Sequence, residues 1–591
     1  MCGIAGSASQ NGSVAGQRER VEAQLATLTH RGPDSSGIYA QGAAAIGQTR
    51  LAVIDLVTGD PPITNEDGRV GVALNGEIYN FASLREELLG KGHRFRTAGD
   101  TEVIAHLAED LEPCELARSL DGMFAFAVWD ERRRRLILAR DRMGKKPLYY
   151  WAGEGRVVFG SELKAVLADP AVPRHLDPDA IPAYLTFGYV PTPRTFFDGV
   201  FSLPPGHVLV ADRGLAPRVE QYWDPAVSGT TVDSDIPASL DQAASKLLER
   251  LRTAVGKRLV ADVPLGAFLS GGIDSSTVVA LMAELSARPV RTFTIGFDDG
   301  EGYDERPFAR QVADRFGTDH TEFVVQPDAV ELVERLVHHH DQPFGDASAV
   351  PTFLLSELTR AHVTVALCGD GGDELFAGYQ RFSAAVAMRH LQRLPAPIRR
   401  MLQVASARVP HSPRARRARS VARFVAASTR PMPDYYRAWI SYVPDDVVGD
   451  LLANPSKWAI DAYDDVWRAS EGAPFVDRLL DLNLRTYLPD DLLPKVDRMS
   501  MAHALEVRSP FLDIDVVRFA LSLPSSMKLR GWSRKRVLRK AIEGFMPREI
   551  LRRPKRGFGV PLDRWFRSDL RPYVEAGLMG PNARLRQHLR P

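Results

Sequence analysis

Cys2 stands directly after the initiator methionine, at a position where a cysteine could act as a nucleophile. Methionine is usually trimmed before a small residue, and trimming would leave a thiol and a free α-amine on the same residue. An α-amine titrates at about 7.7–8.0, so part of it is neutral at physiological pH and can serve as a local base. The pattern indicates attack on a carbonyl without a separate histidine. An accidental early cysteine is the alternative.

A turn rich in glycine and serine follows a short apolar run in the second half of the chain, Phe268-Leu-Ser-Gly-Gly-Ile-Asp-Ser-Ser276. The next residues, Thr277 to Met282, are predicted to form a helix. Such a turn lets backbone N–H groups and the helix N-terminus bind a phosphate. It is not a Walker A loop, because the Gly-Lys-Ser/Thr ending is absent. The candidate phosphate-binding residues are Ser270, Gly271, Gly272, Ser275 and Ser276.

Carboxylates accompany this turn. Asp274 lies within it and offers an oxygen ligand for Mg²⁺. A second loop, Cys368 to Tyr379, follows another apolar run and carries Asp370, Asp373 and Glu374. Open α/β sheets bind ligands at the C-terminal ends of their strands, where such loops lie. The alternative for the turn at 268–276 is a generic strand-to-helix turn. The alternative for the second loop is a structural acidic turn.

The first 160 or so residues are predicted to be rich in β-structure with inserted helices. Phe124 to Trp129 alternates like a strand and is expected to return through Leu136 to Ala139. A second hairpin is predicted between Pro147-Leu-Tyr-Tyr-Trp151 and Arg156-Val-Val-Phe159. Ser83-Leu-Arg-Glu86 has the pattern of a capping box ahead of a short helix that stops near Gly90 and Gly92.

The composition changes after Tyr222 and Trp223. The polar stretch from Val227 to Ser239 is predicted to be a linker, and long helices alternating with short apolar strands begin near Leu240. This alternation of helices and strands is typical of a doubly wound α/β domain with a parallel sheet. The predicted parallel strands are Leu265 to Leu269, Val290 to Phe297 and Val363 to Leu367.

Length and charge limit the classes of function. A chain of 591 residues is too long for one hydrophobic core, so two or more domains are expected. The chain has 75 Lys+Arg against 74 Asp+Glu, so its charge gives no reason to expect nucleic-acid or membrane binding. The arginine-rich stretch Pro413 to Arg423 is interpreted as a solvated helix face. No apolar run approaches the roughly 18 residues of a membrane span.

The cysteines and histidines favour structural explanations. Three cysteines in this length argue against a disulfide framework and favour a reducing, cytosolic compartment. Cys114 and Cys368 lack a CxxC partner, which argues against zinc. His338-His-His340 is predicted to mark a helix end, because adjacent histidines on a helix point to different faces.

Five short motifs, in order, resemble the class II glutamine amidotransferases, an N-terminal-nucleophile hydrolase family, over roughly residues 2 to 215. They are Met1-Cys-Gly-Ile-Ala-Gly6, His30-Arg-Gly-Pro-Asp34, Arg50-Leu51, Asn75-Gly-Glu77 and Gly99-Asp-Thr-Glu102. The resemblance implies stacked antiparallel sheets with Cys2 as the nucleophile. Asn75 and Gly76 would form the oxyanion hole, and Arg50 would bind the α-carboxylate of glutamine. Glu77 and Asp100 would hold its α-ammonium group. Asn-Gly is also a hairpin-turn signal.

The C-terminal motifs resemble the asparagine synthetase domain family across about 240 to 570, and the Ser-Gly turn resembles the pyrophosphate loop of N-type ATP pyrophosphatases. They include the two loops above, Lys495 to Asp513, and Arg553-Pro-Lys-Arg-Gly-Phe-Gly-Val-Pro561. The resemblance implies that Asp274 and Asp373 hold Mg²⁺ and pyrophosphate. Ile295 and Gly369 would line the nucleotide pocket through backbone groups. Lys555 would lie near the α-phosphate, although the residue alone could be a solvated lysine in a basic loop.

We therefore expect a glutaminase domain at 2–217, a linker at 218–239 and an ATP pyrophosphatase domain with extra helices at 240–591. The expected activity is glutamine-dependent asparagine synthesis. Cys2 would hydrolyse glutamine, ATP·Mg²⁺ would adenylate aspartate, and ammonia would displace AMP after pyrophosphate has left. The implied partners are these small molecules, and binding to nucleic acid or to a membrane is not expected. The formation of a homodimer is left open by the sequence.

The acidic loop departs from the asparagine synthetase pattern at Asp370. That pattern usually reads Gly-Glu-Gly-Ser/Ala-Asp-Glu, whereas this chain has Gly369-Asp-Gly-Gly-Asp-Glu374. Asp370, a candidate catalytic residue, replaces a longer acid that faces the acceptor and the incoming ammonia. Another carboxylate, such as a sugar acid or a peptide, is therefore an alternative acceptor. An inactive regulatory scaffold is the alternative of another class, against which the intact Cys2 and the intact Ser-Gly turn argue.

Overall fold

The computed structural model describes residues 2–9, 16–214, 216–225, 237–297, 304–325, 328–406, 416–452, 455–555, 557–560, 562–581 and 583–590. Residues 226–236 of the predicted linker and residues 413–415 of the arginine-rich stretch lie outside these ranges, whereas 416–423 of that stretch belong to a helix. Within the described ranges, no helix combines the length and the hydropathy that a membrane span requires.

The N-terminal half contains two six-stranded antiparallel sheets with strand orders β10-β8-β9-β1-β3-β2 and β12-β11-β7-β6-β5-β4. The strands are β1 (Cys2–Ser9), β2 (Ser35–Gln41), β3 (Ala44–Arg50), β4 (Ile63–Thr64), β5 (Val70–Ile78), β6 (Gly122–Asp130), β7 (Arg135–Arg140), β8 (Tyr149–Gly153), β9 (Arg156–Gly160), β10 (Val200–Ser202), β11 (His207–Asp212) and β12 (Arg218–Gln221). The helices are α1 (Gln17–Ala26), α2 (Phe81–Gly90), α3 (Glu102–Asp110), α4 (Pro113–Ser119), α5 (Leu163–Leu167) and α6 (Ala180–Phe187).

The alternation in β6 shows how these sheets stack. Ala125 and Ala127 pack with Ile4 of the facing sheet, whereas Phe124 and Phe126 pack against the helical layer of α2, α3 and α4. The strand is apolar on both faces because each face is covered. Both predicted hairpins are confirmed as the pairs β6–β7 and β8–β9.

The prediction for the start of α2 was wrong. The helix begins at Phe81, so Ser83 lies inside its first turn and its hydroxyl donates to the carbonyl of Asn80. Asn80 stands at the N-cap, and its side chain is held by backbone groups of Ser119 and Asp121. The tertiary contacts of Asn80 therefore set the start of the helix, overriding the local capping pattern.

The C-terminal half is built on a five-stranded, all-parallel sheet of order β15-β14-β13-β16-β17. Its strands are β13 (Leu265–Phe268), β14 (Arg291–Phe297), β15 (Asp319–Val325), β16 (Val365–Leu367) and β17 (Glu506–Arg508). Its helices are α7 (Leu240–Arg258), α8 (Ile273–Leu285), α9 (Arg306–Phe316), α10 (Ala329–His340), α11 (Ala349–Arg360), α12 (Gly372–Leu375), α13 (Gln380–Leu391), α14 (Ala396–Ser406), α15 (Arg416–Ala426), α16 (Asp434–Ile440), α17 (Asp445–Leu451), α18 (Trp458–Ala469), α19 (Phe475–Arg485), α20 (Leu493–Met501), α21 (Ile514–Ser522), α22 (Ser525–Lys528), α23 (Arg536–Ile542), α24 (Arg548–Arg552), α25 (Leu562–Arg567) and α26 (Arg571–Met579).

Helices cover both faces of this sheet. Val365 and Leu367 of β16 face the layer of α7, α8 and α21, while Ala366 faces α10, α11 and α20. The strand order reverses between β13 and β16, which makes the C-terminal ends of these two strands the expected ligand site. The doubly wound prediction and its three strands are confirmed, and His338 to His340 do end a helix, α10.

Candidate functional site

Cys2 is the first residue of β1 and is buried between strands of the first sheet, where it pairs with Arg50 of β3. The side-chain amide of Gln48 donates to its Sγ at 3.1 Å, and the same amide accepts from the backbone N–H of Leu74 at 2.9 Å. Burial raises the pKa of the Cys2 thiol above its ordinary value. The thiol is therefore held in one orientation, and it needs a base to become a nucleophile.

Asn75 and Gly76 lie beside Cys2 in the middle of β5, paired with Ala125 and Phe124 of β6, so the turn interpretation of Asn-Gly is wrong. The backbone N–H of Cys2 donates to Asn75 Oδ1 at 3.3 Å. Asn75 Nδ2 is buried and has no hydrogen-bond partner among the described residues. A Cβ at position 76 would lie 2.0 Å from a backbone oxygen of the neighbouring strand, so only glycine fits.

The remaining predicted glutamine-binding residues line the same small cavity as Cys2 and Gly76. The guanidinium of Arg50 is held by Asp60 at 2.7 Å and by the carbonyl of Ile54 at 3.2 Å. Asp100 accepts a hydrogen bond from the N–H of Ile78, and burial raises the pKa of its carboxyl to about 6. The full predicted set is thus brought together around one thiol: Arg50, Asn75, Gly76, Glu77 and Asp100.

The second site forms where the loops after β13 and β16 meet. Gly271 adopts a φ of +65°, and a Cβ there would lie 2.5 Å from the backbone of Phe308. A Cβ at Gly369 would lie 2.7 Å from the backbone nitrogen of Ser275. These close approaches require glycine, and they bring the acidic loop against the N-terminus of α8.

A compact group of opposite charges lies between the two loops. Lys535 Nζ is 2.5 Å from Asp274 and 2.6 Å from Asp373, and Lys555 Nζ is 2.6 Å from the other oxygen of Asp373. Burial opposes ionisation of Asp373, but the two ammonium groups lower its pKa well below the ordinary value. Lys535 has a positive φ of 51°, a costly conformation for a lysine, directly before α23. The carboxylates of Asp274 and Asp373 are thus arranged to interact with positively charged groups.

A cavity of about 400 Å³ opens over this group. The predicted residues that line it are Ser270, Gly272, Asp274, Ser275, Ile295, Gly369, Asp370, Asp373 and Lys555. Gly271 and Ser276 do not line it. Ser276 is fully buried within α8, and its hydroxyl has no hydrogen-bond partner among the described residues.

Asp370 lies on the side of the cavity that meets the N-terminal half. Its Oδ2 accepts a hydrogen bond from the Cys368 thiol at 2.9 Å, and Lys145 Nζ of the N-terminal half lies 3.8 Å away. The pKa of the Cys368 thiol is raised to about 12, mainly by burial and secondly by the negative charge of Asp370. Cys368 is therefore a neutral donor that orients the carboxylate.

Buried ion pairs that sequence reasoning missed connect the Cys2 site to the C-terminal half of the chain. Arg31 donates to the carbonyl of Cys2, to Glu162 and to Asp497, the last being 466 positions away in the chain. Arg508 at the end of β17 lies 3.4 Å from Glu77 in the Cys2 cavity. Arg31 was present in a quoted motif, but no spacing signal indicates its partner. Gln48, Lys145 and Lys535 likewise had no distinguishing pattern.

Comparisons with known proteins match both halves. Residues 246–591 match the family model described as asparagine synthase, and residues 1–223 match that of a glutamine amidotransferase domain. Asparagine synthetase [glutamine-hydrolyzing] 1 of Bacillus subtilis is 32% identical, over 97% of this chain and 89% of that protein. A putative glutamine-hydrolysing asparagine synthetase of Mycobacterium bovis is 34% identical, over 96% of this chain and 89% of that protein.

A further relative is Amidase chry2 of Gibberella zeae, 27% identical over 94% of this chain and 87% of that protein. The two matched regions correspond to the stacked antiparallel sheets around Cys2 and to the doubly wound domain that carries the lysine–aspartate group. The chain belongs to the asparagine synthase family and carries a glutamine amidotransferase domain at its N-terminal end.

Proposed function

We propose that the protein is a glutamine-dependent asparagine synthetase. Glutamine is hydrolysed at Cys2, aspartate is adenylated with ATP, and ammonia converts the adenylate to asparagine with release of AMP. The observation that supports this proposal is the pairing of the two sites. One chain holds a buried thiol beside an amide donor that has no partner among the described residues, and a cavity lined by the Ser-Gly turn, by aspartates and by lysines. Buried ion pairs connect the thiol site to the half of the chain that carries this cavity.

The proposed glutaminase step uses the groups around Cys2. Because burial raises the pKa of the thiol, the proton must leave to a base, and the α-amine freed by methionine trimming is that base. The thiolate then attacks the side-chain amide carbon of glutamine, and the C–N bond breaks as the proton taken up by the Cys2 α-amine passes to the leaving nitrogen, which departs as ammonia. Water then hydrolyses the resulting thioester and releases glutamate. Asn75 Nδ2 and the N–H of Gly76 donate to the developing oxyanion. Arg50 binds the α-carboxylate, and Glu77 with Asp100 binds the α-ammonium.

The proposed synthetase step uses the loops after β13 and β16. The turn Ser270 to Ser275 binds the pyrophosphate part of ATP, and the backbones of Ile295 and Gly369 line the nucleotide site. Asp274 Oδ1 is buried without a hydrogen-bond partner among the described residues, which fits a magnesium ligand, with Asp373 as the second. Bound Mg²⁺ would supply positive charge that neutralises the phosphates. Lys555 stabilises charge at the α-phosphate.

Adenylation is required because a free carboxylate is a poor electrophile with a poor leaving group. Ammonia must reach the adenylate as the neutral species, so it has to stay apart from bulk water during transfer. The boundary between the halves is the route that the contacts favour, since Glu77 of the first cavity touches Arg508 and Asp370 of the second faces Lys145. The domain boundaries 2–217 and 240–591 are part of this proposal, as is a cytoplasmic location with reduced thiols.

Asp370 supports a second candidate for the acceptor carboxylate. Its side chain is one methylene shorter than the glutamate usual in asparagine synthetases, and one relative with similar coverage is named an amidase. The second candidate function is the same chemistry on a larger carboxylate, such as a sugar acid or a peptide.

The test is direct product analysis. The purified protein is incubated with glutamine, ATP, Mg²⁺ and aspartate, and asparagine, glutamate, AMP and pyrophosphate are quantified by mass spectrometry. We expect asparagine and AMP in equal amounts. AMP release with another carboxylic acid but never with aspartate would replace aspartate as the acceptor. ADP and phosphate as products would contradict the assignment of the Ser-Gly turn.

A further inference from the structure

A cluster of two histidines and two glutamates lies in the N-terminal domain, away from both proposed active sites. It consists of Glu66 before β5, His93 after α2, and His106 and Glu109 of α3. One nitrogen or oxygen atom from each of these side chains lies within 4.8 Å of every other. No pattern in the sequence indicates this cluster, because its four residues come from three separate segments.

We propose that this cluster is a binding site for one divalent transition-metal ion and that Zn²⁺ is the ion it fits best. Imidazole and carboxylate together are a ligand set that zinc accepts. The absence of a CxxC pattern excludes only a cysteine-based site, and here the ligands are histidine and glutamate. The N-terminal domain uses no metal in its proposed reaction, so the role of the ion is structural.

The four nitrogen–oxygen distances within the cluster, 3.0–3.8 Å, bracket those of tetrahedral coordination. With metal–ligand bonds of about 2.0–2.2 Å, neighbouring ligand atoms of a tetrahedral zinc site lie about 3.3–3.6 Å apart. His106 Nδ1 lies 3.3 Å from Glu66 Oε2 and 3.7 Å from Glu109 Oε2. His93 Nδ1 lies 3.0 Å from the other oxygen of Glu66, Oε1, and 3.8 Å from Glu109 Oε2. Both histidines thus direct the same ring nitrogen toward the same pair of carboxylates.

Unpartnered buried atoms point into this cluster. His106 is fully buried, and its Nδ1 has no hydrogen-bond partner among the described residues. Glu109 Oε2, which faces both histidines, is likewise buried without a partner. Buried polar atoms are normally satisfied, and each exception calls for a ligand or another physical reason. A bound cation would satisfy Nδ1 of His106 and Oε2 of Glu109 at once.

The residues around the cluster provide the support that metal ligands usually have. The other ring nitrogen of His106 faces Glu102 at 3.5 Å, and that of His93 faces Asp110 at 3.5 Å. A carboxylate behind each metal-bound histidine fixes its tautomer and orientation. Glu66 accepts from the N–H of Arg94 at 2.9 Å, so its oxygen position is also fixed.

The alternative is a set of plain ion pairs between protonated histidines and glutamates. The two imidazole ring centroids are only 4.8 Å apart, so two positive rings would repel each other in a partly buried site. A single divalent ion provides the same two charges at the centre of the carboxylates and leaves both rings neutral. Glu66 and His93 are partly exposed, so an ion can enter from solvent.

The site would tie the loop after α2 to α3. Glu102, which supports His106, also accepts hydrogen bonds from the backbone and hydroxyl of Thr97, each at 2.7 Å. Thr97 lines the Cys2 cavity together with Asp100. The proposed ion therefore stabilises the loop that forms one wall of that cavity, and its loss should be visible as a lower unfolding temperature of the whole protein.

The test uses the full chain, stripped with a chelator and then titrated with Zn²⁺ alone. We expect about one tightly bound Zn²⁺ per chain by elemental analysis and a thermal midpoint at least about 3 °C higher with Zn²⁺ than with chelator. Co²⁺ in place of Zn²⁺ should give the visible absorption of a four-coordinate site. These measurements on the wild type do not depend on the folding of any variant.

His93→Gln and Glu109→Gln should each lower Zn²⁺ affinity at least about tenfold and remove the thermal shift. His338→Gln is the matched control, because His338 is exposed in a run of three histidines that could bind metal adventitiously. It should leave stoichiometry and shift unchanged. Wild type that binds no Zn²⁺ would overturn the proposal, as would binding that His338→Gln removes and the two cluster variants preserve.

Discussion

Replacing Asn75 with alanine should lower the glutaminase rate strongly while changing the free energy of unfolding only slightly. The substitution removes Nδ2, a buried donor without a partner among the described residues, and also Oδ1, which accepts from the N–H of Cys2 at 3.3 Å. Losing Oδ1 leaves the buried N–H of Cys2 without this acceptor, which costs about 1–3 kcal/mol, whereas removing the unsatisfied buried donor Nδ2 relieves about the same amount. The two effects nearly cancel, so we expect the free energy of unfolding to change by less than about 1.5 kcal/mol.

The catalytic effect of the same change should be large. An oxyanion-hole donor contributes roughly 10²–10³ in kcat, so glutamate release by Asn75→Ala should fall by about that factor with little change in KM. The assay is glutaminase kinetics, with thermal unfolding measured on the same preparations. Synthesis from added ammonium salts should be preserved, since it bypasses this site. A kcat within about threefold of wild type, or a fall explained by unfolding, would refute the role of Nδ2 as a donor.

Three further outcomes are expected. Cys2→Ala should abolish glutamate release but keep ammonium-dependent synthesis, and continued glutamine hydrolysis would contradict the nucleophile assignment. Asp370→Asn should remove synthesis while leaving basal glutaminase largely intact; asparagine formation at the wild-type rate would make Asp370 a structural turn residue. Burial raises the pKa of Asp100 to about 6, so its carboxylate becomes neutral below that pH and loses the glutamine ammonium. The kcat/KM for glutamine, measured from pH 8 to 5, should therefore fall in two steps, first as the α-amine base with a pKa of about 7.7–8.0 is protonated and again below about pH 6. Absence of the second step would exclude this role of Asp100.

Much of the secondary structure was predictable because it follows from local pattern. The alternation around Phe124 and the Gly-containing turn at 153–155 specify hairpins whose partners are neighbours in the chain. The start of α2 was not predictable in the same way, because Asn80 is held by residues some forty positions away. The turn interpretation of Asn75-Gly76 was wrong for a related reason. A signal carried by two adjacent residues contains no information about the pairing of β5 with β6, which lies far away in the chain.

By itself, the sequence determined the chemical types available in each domain. It placed a cysteine beside a removable methionine, and it placed serines, glycines and Asp274 between a strand and a helix. These are properties of contiguous residues, so they can be recognised before folding is known. The parallel strands and the two antiparallel hairpins followed from the same local periodicity, whereas the stacking of antiparallel sheets was implied by the family resemblance.

Only the tertiary structure decided which charges meet. Lys535 lies between Asp274 and Asp373, 261 positions after the first of them, and Arg31 joins Cys2 to Asp497. The histidine–glutamate cluster likewise combines Glu66 with a loop and a helix. The physical reason is that Coulomb attraction and burial depend on distance in space, whereas sequence spacing constrains distance only within one element.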